Sequence, residues 1–330
     1  MDINKVLNGM QEEGLDSMFV VKPENITYLT GYYPSSYSIF ILIDEPILLV
    51  PKLDLKEAED VSRIPVEEFK SFPEVMKILS GKIGVDPSLP METYLKLSEK
   101  FEVNSTDLIA TQRMIKTAAE IRNIQKAIEI AERSLKNLKM CGTENEMAAQ
   151  LEYNMRCSGS IKPAFETIIA SGKRSSFPHA SVSSKKVTHP VVIDWGAVYN
   201  HYASDTTRTL VQTENEEEVL EIILEAQKHA IKQIKPGVKA SYIDKVARDI
   251  ITEYGYGDSF LHSTGHGVGL EVHEIPSLSF REDKKLETGM VITVEPGIYL
   301  ENDFGVRVED MILIKKRAKV LNKMDSKLSF

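Results

Sequence analysis

The stretch VVIDWGAVYNHYASDTTRTL, residues 191–210, has the pattern of a β-hairpin and decides the fold. It begins as a β-branched apolar run and returns as alternating polar and apolar residues, which predicts two paired strands. A two-residue turn at Tyr199-Asn200 fits, because asparagine tolerates a positive φ. With that turn Asp194 lies directly opposite Asp205, with Cβ atoms about 5 Å apart.

Two like charges that face each other across a strand pair repel, and a strand interior disfavours aspartate. A divalent cation resolves the conflict, because hard cations bind carboxylate oxygens and reverse the sign of the local field. For an isolated pair of acids, a polar loop with solvated side chains is the simpler interpretation. The choice between the two depends on the other motifs of the chain.

The composition is that of a globular protein large enough for two domains. The 330 residues are 42% hydrophobic and 27% charged, which is ordinary for a globular chain, and chains of this length commonly divide into domains. The net charge of -9 argues against nucleic acid or an anionic membrane as a partner, because both require a basic surface.

The N-terminal sequence and the two cysteines predict a cytoplasmic protein. Acids interrupt the apolar positions of MDINKVLNGMQEEGLDSMFV, so we expect no signal peptide, and no apolar run is long enough to span a bilayer. Cys141 and Cys157 fall on predicted helices without the spacing of a metal site, which indicates reduced thiols.

Residues 1–112 have the pattern of a small α/β domain. We predict a helix over residues 4–13, a buried strand at GLDSMFVV, a hairpin of SIFILI and ILLV, a helix over residues 73–80 and a strand at KIGVD. No acids, histidines or glycines cluster in this part of the sequence. The chemistry is therefore expected in the second domain, residues 113–330.

The second domain begins with two capped helices. The capping boxes T-A-A-E from Thr117 and T-E-N-E from Thr143 each precede an apolar helical repeat. After the first hairpin, helical patterns recur over residues 214–234 and 241–253. The order helix, helix, hairpin therefore occurs twice, which predicts an α+β fold with two duplicated halves.

A second acidic hairpin follows the second pair of helices. The apolar strands VITVEPGIYL, residues 291–300, and GVRVEDMILI, residues 305–314, carry Glu295 and Glu309. A short odd-numbered loop centred on Asn302 places these two glutamates face to face. One glutamate in such a strand is usually an edge residue, but a second acidic hairpin favours a shared site.

Three of the seven histidines, His262, His266 and His273, lie between the hairpins in LHSTGHGVGLEVHE, residues 261–274. The glycines around His266 permit close approach of the backbone. The segment lacks the lysine and Ser/Thr of a phosphate-binding loop, so it does not indicate a nucleotide site.

One imidazole and four carboxylates form the candidate metal site: Asp194, Asp205, His266, Glu295 and Glu309. Four buried anions without compensation are prohibitive, whereas two divalent ions balance their charge. Oxygen ligands with one imidazole suit Mn²⁺, Co²⁺, Fe²⁺ or Zn²⁺.

These motifs resemble those of the pita-bread metallopeptidases, the group that contains prolidase, aminopeptidase P, methionine aminopeptidase and the metal-free creatinase. The resemblance covers almost the whole chain. PENITYLTGY from residue 23 is similar to the creatinase-type N-terminal domain, and DWGAVYNHYASDTTRT, HSTGHGVGLEVHE, VEPGIY and RVED are similar to the catalytic domain. The resemblance implies a small α/β domain, a pita-bread (creatinase-like) domain and a homodimer.

The resemblance also implies roles for the metal ligands. Asp194 would bind one ion in a bidentate manner, Asp205 and Glu309 would bridge both ions, and His266 and Glu295 would complete the second. The ions are expected to be manganese or cobalt, with zinc and iron as alternatives. A water or hydroxide between them would be the nucleophile, and Glu295 its general base.

The remaining site residues would act on the substrate. By the resemblance, His273 and His179 would contact the substrate carbonyl and stabilise the oxyanion. His262 would be a further substrate-binding histidine. Arg307, grouped with it, would order the acidic cluster.

The N-terminal domain and LEVHE favour the branch of the family that cleaves the bond before proline in Xaa-Pro peptides. Some archaeal-type members have an arginine shortly after the HE of this motif, and a dipeptidase needs a cation for the substrate carboxylate. Here Ser277 occupies that position, and Arg281 is out of register. The short chain favours prolidase, and aminopeptidase P acting on longer peptides is the alternative. A metal-free creatinase-like hydrolase or a non-catalytic peptide-binding scaffold is less favoured, because all five ligand positions are filled.

Overall fold

A computed structural model describes residues 3–328. The chain divides into two units, Met1–Arg113 and Met114–Phe330, which we call the N-terminal unit and the C-terminal unit. Within the described residues, no helix is long and apolar enough to cross a membrane.

The N-terminal unit contains a six-stranded mixed sheet. Its strands, β1 to β6, are Ser17–Val20, Ile39–Leu42, Ile47–Val50, Val66–Glu68, Lys82–Val85 and Glu102–Ser105. Its helices, α1 to α6, are Ile3–Glu12, Pro23–Thr30, Leu55–Val61, Phe72–Ile78, Met91–Ser98 and Leu108–Met114. The strand order is β4-β3-β2-β1-β5-β6. Side chains alternate between two apolar clusters, with Met18 in one and Phe19 in the other, so both faces of the sheet are covered. The predicted helices, strands and hairpin of this region are confirmed.

The first half of the C-terminal unit contains two helices and an antiparallel sheet. Helices α7 and α8 are Ala118–Lys136 and Glu144–Cys157, and strands β7 to β11 are Ile168–Ser171, Val191–Trp195, Val198–Tyr199, Tyr202–Ala203 and Thr206–Leu210. A 3₁₀ helix spans Gly172–Ser176. Both predicted capping boxes are present, at Thr117 and Thr143. The sheet order is β11-β8-β7.

The second half repeats the order of elements. Helices α9 and α10 are Glu214–Gln233 and Ala240–Glu253, and strands β12 to β18 are His266–Gly267, Glu274–Ser277, Val291–Val294, Gly297–Tyr299, Gly305–Arg307, Asp310–Ile314 and Ala318–Val320. A 3₁₀ helix spans Gly257–Ser259. The sheet order is β13-β12-β14-β17-β18. The predicted succession of helix, helix and hairpin is confirmed in both halves.

The helices of each half pack on the sheet of that half, and α7 also packs on the second sheet through Ile124 and Ile128. In the first half, Trp195 of β8 is fully buried and its indole N–H donates to the Ala131 carbonyl of α7 at 2.9 Å. In the second half, Val294 belongs to the apolar cluster that contains residues of α9 and α10. The hairpins join through a hydrogen bond from the Glu309 N–H to the Thr207 carbonyl, at 3.0 Å. This junction brings the acidic ends of the hairpins together.

The predicted register of the first hairpin is wrong. Asn200 and His201 occupy the turn, with φ of 46° and 69°, so the turn lies one residue later than Tyr199-Asn200. Asp194 therefore pairs with Thr207 and not with Asp205. Two consecutive residues of positive φ match the twist of a hairpin, and this preference selects the turn.

The predicted register of the second hairpin is confirmed. Val294 pairs with Asp310, and Gly297 pairs with Arg307. The register between these pairs places Glu295 opposite Glu309. Asn302 lies at the centre of the loop with a φ of 61°.

The prediction that both cysteines lie on helices is wrong for Cys141, which lies in the loop between α7 and α8. Cys157 is the last residue of α8. Both thiols are free and exposed.

Candidate metal centre

Four carboxylates and two imidazoles meet at the junction of the hairpins. Their ligand atoms lie within 4.8 Å of one another in three overlapping groups, which are Asp205, His266 and His273; His266, Glu295 and Glu309; and Asp194, Asp205 and Glu309. The five ligands predicted from the sequence are therefore neighbours, and His273 is beside them.

The corrected register still brings Asp194 and Asp205 together. Because Asp194 pairs with Thr207, Asp205 is two residues along the partner strand and its side chain lies on the same face as that of Asp194. A turn that shifts by one residue changes the pairing by two positions, so the inward-facing side chains remain inward. The strands also approach closely beside the acids, because a Cβ on Gly196 would lie 2.0 Å from the Ser204 carbonyl oxygen.

Arg307 uses all three guanidinium nitrogens at this junction. Its Nη2 donates to Asp194 Oδ2 at 2.6 Å and its Nε donates to the Thr207 hydroxyl at 3.2 Å. Its Nη1 donates to the Tyr299 hydroxyl at 2.7 Å and to the Pro178 carbonyl at 3.0 Å. The Thr207 hydroxyl in turn donates to Glu309 Oε2 at 2.9 Å. Arg307 therefore orders two of the acids.

His266 presents Nε2 to the carboxylates. Its Nδ1 lies 3.0 Å from the Gly267 carbonyl oxygen, which can only accept, so Nδ1 carries a proton. Its Nε2 lies 3.2 Å from Glu295 Oε1 and 3.5 Å from Asp205 Oδ2. This orientation leaves Nε2 available as a metal ligand once it is deprotonated.

The acids divide into two electrostatic classes. Burial, followed by the charges of neighbouring carboxylates, holds the pKa of Asp205 and of Glu309 well above the ordinary range. For Glu295, burial acts to raise the pKa, but the hydrogen bond and charge of His266 outweigh it and lower the pKa to about 2. Burial likewise opposes the charged form of His266, but the hydrogen bond to Glu295 raises its pKa.

The donor set fits divalent cations. Asp194 Oδ1 and Glu309 Oε1 are buried without a hydrogen-bond partner in the structure, and a buried acceptor in that state is unfavourable unless another group binds it. Both oxygens belong to a cluster of carboxylates and imidazole, which are suitable ligands for first-row divalent metals. A cation at this place would also remove the repulsion that raises the pKa of Asp205 and Glu309.

A cavity of about 720 Å³ opens beside the cluster. His179, His262 and His273 line it together with Ser277 and the five predicted ligands. His179 and His273 are exposed, whereas His262 is partly buried. The ring centroids of His273 and His266 are 4.3 Å apart. All the histidines assigned to the substrate side therefore face one space.

Sequence reasoning missed several groups that order the site. The Thr293 hydroxyl donates to Glu295 Oε1 at 3.3 Å, and a buried ion pair joins Lys116 to Glu274 at 3.0 Å, next to His273. Burial raises the pKa of Tyr299 to about 12, which keeps its hydroxyl neutral beside Arg307. Lys116 and Tyr299 carry no recognisable spacing, because Glu274 is 158 residues from Lys116 and Arg307 lies on another strand from Tyr299.

Comparisons with known proteins agree with this geometry. Residues 120–316 match Metallopeptidase family M24, and residues 3–115 match the Creatinase/Prolidase N-terminal domain. The Xaa-Pro dipeptidase of Pyrococcus furiosus is 43% identical, with 99% of both chains covered. The prolidase structure from Pyrococcus horikoshii has a TM-score of 0.94 at 42% identity, and the X-Pro aminopeptidase structure from Thermotoga maritima has 0.91 at 34%, each covering 99% of both chains. These similarities confirm the expected pita-bread fold. The chain belongs to Metallopeptidase family M24.

Proposed function

We propose that this metallopeptidase hydrolyses the peptide bond before proline in Xaa-Pro dipeptides. The observation that carries the proposal is the convergence of four carboxylates and His266 in one cavity, with two buried carboxylate oxygens that have no partner. The Xaa-Pro dipeptidase and prolidase relatives, similar over 99% of the chain, support this substrate class.

Asp194, Asp205, His266, Glu295 and Glu309 would hold two divalent cations, for which we propose manganese or cobalt. When bound, such ions supply an activated water and stabilise the negative charge that develops on the carbonyl oxygen. Arg307 keeps Asp194 in place through the 2.6 Å contact. Zinc and iron are the alternatives for the same ligands.

The residues around the ligands would handle protons and the substrate carbonyl. Glu295, whose Oε1 lies 3.2 Å from His266 Nε2, is the carboxylate we assign as general base and proton carrier. Burial and the charge of His266 lower the pKa of His273, so its neutral ring has one N–H to donate to the carbonyl oxygen. We assign the same role to His179, which also lines the cavity. Phe165 and Ile275 supply apolar lining that suits a pyrrolidine ring.

Removal and return of metal tests the proposal. Chelation followed by dialysis should abolish cleavage of an Xaa-Pro dipeptide, and Mn²⁺ or Co²⁺ should restore it, because the acids alone cannot activate water. Metal content is measured on the same samples. Cleavage that survives complete removal of metal contradicts the proposal and favours a creatinase-like hydrolase. Less than half an ion per chain together with no peptidase activity favours a peptide-binding scaffold.

A second candidate is an Xaa-Pro aminopeptidase that accepts longer peptides. The small number of lysine and arginine side chains around the cavity favours it. Among the lining residues within 3–328, Arg307 is the only lysine or arginine, and its nitrogens already bind Asp194, Thr207 and Tyr299. Arg281 does not line the cavity, and its guanidinium lies 4.9 Å from the centre of the Phe280 ring. The lining of the C-terminal unit therefore offers no spare cation for a dipeptide's carboxylate.

Cleavage of an Xaa-Pro dipeptide, its C-terminal amide and an Xaa-Pro tripeptide distinguishes the two candidates. A charged hydrogen bond contributes about 1.5–3 kcal/mol, so a dedicated cation makes the dipeptide better than its amide by about tenfold or more. A ratio of dipeptide cleavage to amide cleavage below about tenfold favours the aminopeptidase. Ser277→Arg should then raise the ratio, whereas the control Ser279→Arg, at a position outside the cavity lining, should not. The homodimer and the cytoplasmic location stay predictions from the sequence.

A further inference from the structure

Helix α10 carries a buried acid that binds the segment before β12. Asp244 is fully buried. Its Oδ1 accepts hydrogen bonds from the N–H and the hydroxyl of Thr264, at 3.0 and 2.9 Å. Arg248, one turn further along the helix, donates to the same carboxylate at 3.2 and 3.1 Å. The acid therefore joins its own helix to Thr264.

Arg248 extends the contact to both sides of His262. Its Nη1 donates to the Phe260 carbonyl at 3.0 Å and its Nη2 donates to the His262 carbonyl at 2.9 Å. The guanidinium also lies over the Phe260 ring, 4.3 Å from its centre, and the Phe260 and His262 rings make an edge contact with centroids 5.2 Å apart. Asp244 and Arg248 together hold the backbone of residues 260–264.

The position of this segment determines how the His262 ring is used. His262 Nδ1 lies 2.8 Å from the Ser263 carbonyl oxygen, which can only accept, so Nδ1 carries the proton. Nε2 of the neutral ring is then an acceptor, and it lies 2.8 Å from the Tyr299 hydroxyl. The Tyr299 oxygen accepts from Arg307, which binds Asp194. A continuous chain of hydrogen bonds thus joins His262 to the candidate metal centre.

The same segment also contacts Glu295. The Thr264 carbonyl accepts a hydrogen bond from the Glu295 N–H at 2.8 Å. Thr264 is the residue whose N–H and hydroxyl bind Asp244. A displacement of Thr264 would therefore move the backbone of the carboxylate that we assign as general base.

We propose that Asp244 and Arg248 are positioning residues for the peptidase reaction, acting through His262 and Thr264 on Tyr299 and Glu295. The proposal rests on the proposed function. An ion pair that only stabilised the helix would need no bonds to the segment. Lys245 and Asp249 form such a pair on the same helix, with the same spacing and with exposed side chains, and they supply the matched control.

Arg248→Met should lower kcat about 10- to 100-fold, because small displacements of reacting groups have effects of this size, while KM changes less than about threefold and the metal content stays that of the wild type. Arg248→Lys should recover part of the loss, and Lys245→Met should behave as the wild type. Because Arg248 acts partly through His262, the loss in the double variant Arg248→Met with His262→Ala should be smaller than the product of the two single losses. Additive losses, or a lower melting temperature with unchanged kcat and KM, overturn the proposal.

Histidine side-chain ¹⁵N NMR of the metal-free protein gives a readout without turnover. The wild type should show His262 as the Nδ1–H tautomer, assigned by comparison with His262→Ala, and Arg248→Met should shift or broaden this signal while Lys245→Met leaves it unchanged. If Arg248→Met does not fold, Asp244→Asn is measured in the same way. An unaltered His262 signal contradicts the proposal. Failure of the wild type to cleave any Xaa-Pro peptide contradicts the proposed function, and the NMR comparison still reports whether Arg248 positions His262.

Discussion

The two halves of the C-terminal unit have the same order of elements but contribute different groups to the cluster. The first half supplies Asp194 and Asp205, whereas the second supplies Glu295, Glu309 and the imidazole of His266. His266 lies 3.2 Å from Glu295 of the same half, whereas Asp194 of the first half is bound by Arg307, a residue of the second half. Under the proposed function, both halves would therefore supply metal ligands, and the second half would also supply the general base.

The hairpins differ in how they present their acids. Glu295 and Glu309 face each other directly, whereas Asp194 and Asp205 are offset by two positions along the strands. In both hairpins a glycine follows the first acid by two residues, as Gly196 and Gly297. The offset is tolerated because it preserves the face of the sheet on which the side chains lie.

Each half also uses a buried acid on its second helix to hold a segment that carries a cavity-lining histidine. Glu144 of α8 accepts from the N–H and hydroxyl of Ser171 at 2.9 and 3.0 Å and from Arg174 at 3.0 Å. Asp244 binds Thr264 and Arg248 in a similar way. The two acids differ in how near their bonded residues are to the histidine in sequence. Thr264, bound by Asp244, is two residues from His262, whereas Ser171, bound by Glu144, is several residues from His179.

The largest expected effect tests the division between metal binding and proton transfer. Glu295→Gln should lower kcat by about 100-fold or more and retain metal, because the amide oxygen remains a ligand. Asp194→Asn should lose activity together with metal, because the 2.6 Å ion pair with Arg307 that holds this ligand in place is lost. Metal analysis beside steady-state kinetics measures both. Equal metal loss in the two variants would remove the distinction between the halves.

The next effect tests the close approach within the first hairpin. In Gly196→Ala the new Cβ would meet the Ser204 backbone at 2.0 Å, so the strands must separate, and we expect a loss of about 1–3 kcal/mol in unfolding free energy with weaker metal binding. In Gly297→Ala the nearest atoms belong to the Tyr299 side chain and not to the partner strand, so the strand pairing can persist and the loss in unfolding free energy should be smaller. Denaturant unfolding of both variants measures this. Equal losses of unfolding free energy in the two variants would show that the strands do not approach more closely at Gly196 than at Gly297.

Acid pH tests the hydrogen bonds by which Glu144 holds the segment that contains Ser171 and Ser183. Burial opposes ionisation of Glu144, but hydrogen bonds from Ser183 and Ser171 outweigh it and lower its pKa below the ordinary 4.5. A lowered pKa in the folded state contributes stability above the unfolded pKa, and this contribution disappears as the pH falls. Glu144→Gln should therefore cost about 1 kcal/mol at pH 7, and less as the pH falls below 4.5. Urea unfolding between pH 7 and acid pH measures this difference in unfolding free energy, and Glu152→Gln on the same helix is the control. A difference that increases in acid contradicts the assignment.

The smallest effect concerns the turn that sets the first register. His201 has a φ of 69°, a conformation that disfavours residues with a Cβ, and Asn-Gly is the preferred pair for this turn. His201→Gly should raise the unfolding free energy by about 0.5 kcal/mol, after the entropy of glycine is subtracted. Thermal unfolding measures the change. Destabilisation would indicate that the His201 side chain, and not the backbone, holds the turn.

The local patterns of the sequence predicted the elements and the membership of the site. Capping boxes and apolar periodicity act within a few residues, so the helices at Thr117 and Thr143 and the second hairpin could be located without coordinates. Acids in otherwise apolar strands indicated the cluster because such charges need a partner. The sequence does not distinguish the turn at Asn200-His201 from one at Tyr199-Asn200, because the two pairs offer similar local signals.

Only the tertiary structure decided how the cluster is held and which groups surround it. The contacts of Arg307 with Asp194, of Asp244 with Thr264, and of Lys116 with Glu274 join residues between 20 and 158 positions apart. No periodicity encodes such pairs, because each depends on how the sheets and helices pack and on which buried polar atoms remain to be satisfied. The sequence by itself predicted that four acids and an imidazole share one site, because charges in apolar strands need partners. Packing decided that His266 lies beside Glu295, and that Arg307 in the cavity lining already binds Asp194, Thr207 and Tyr299.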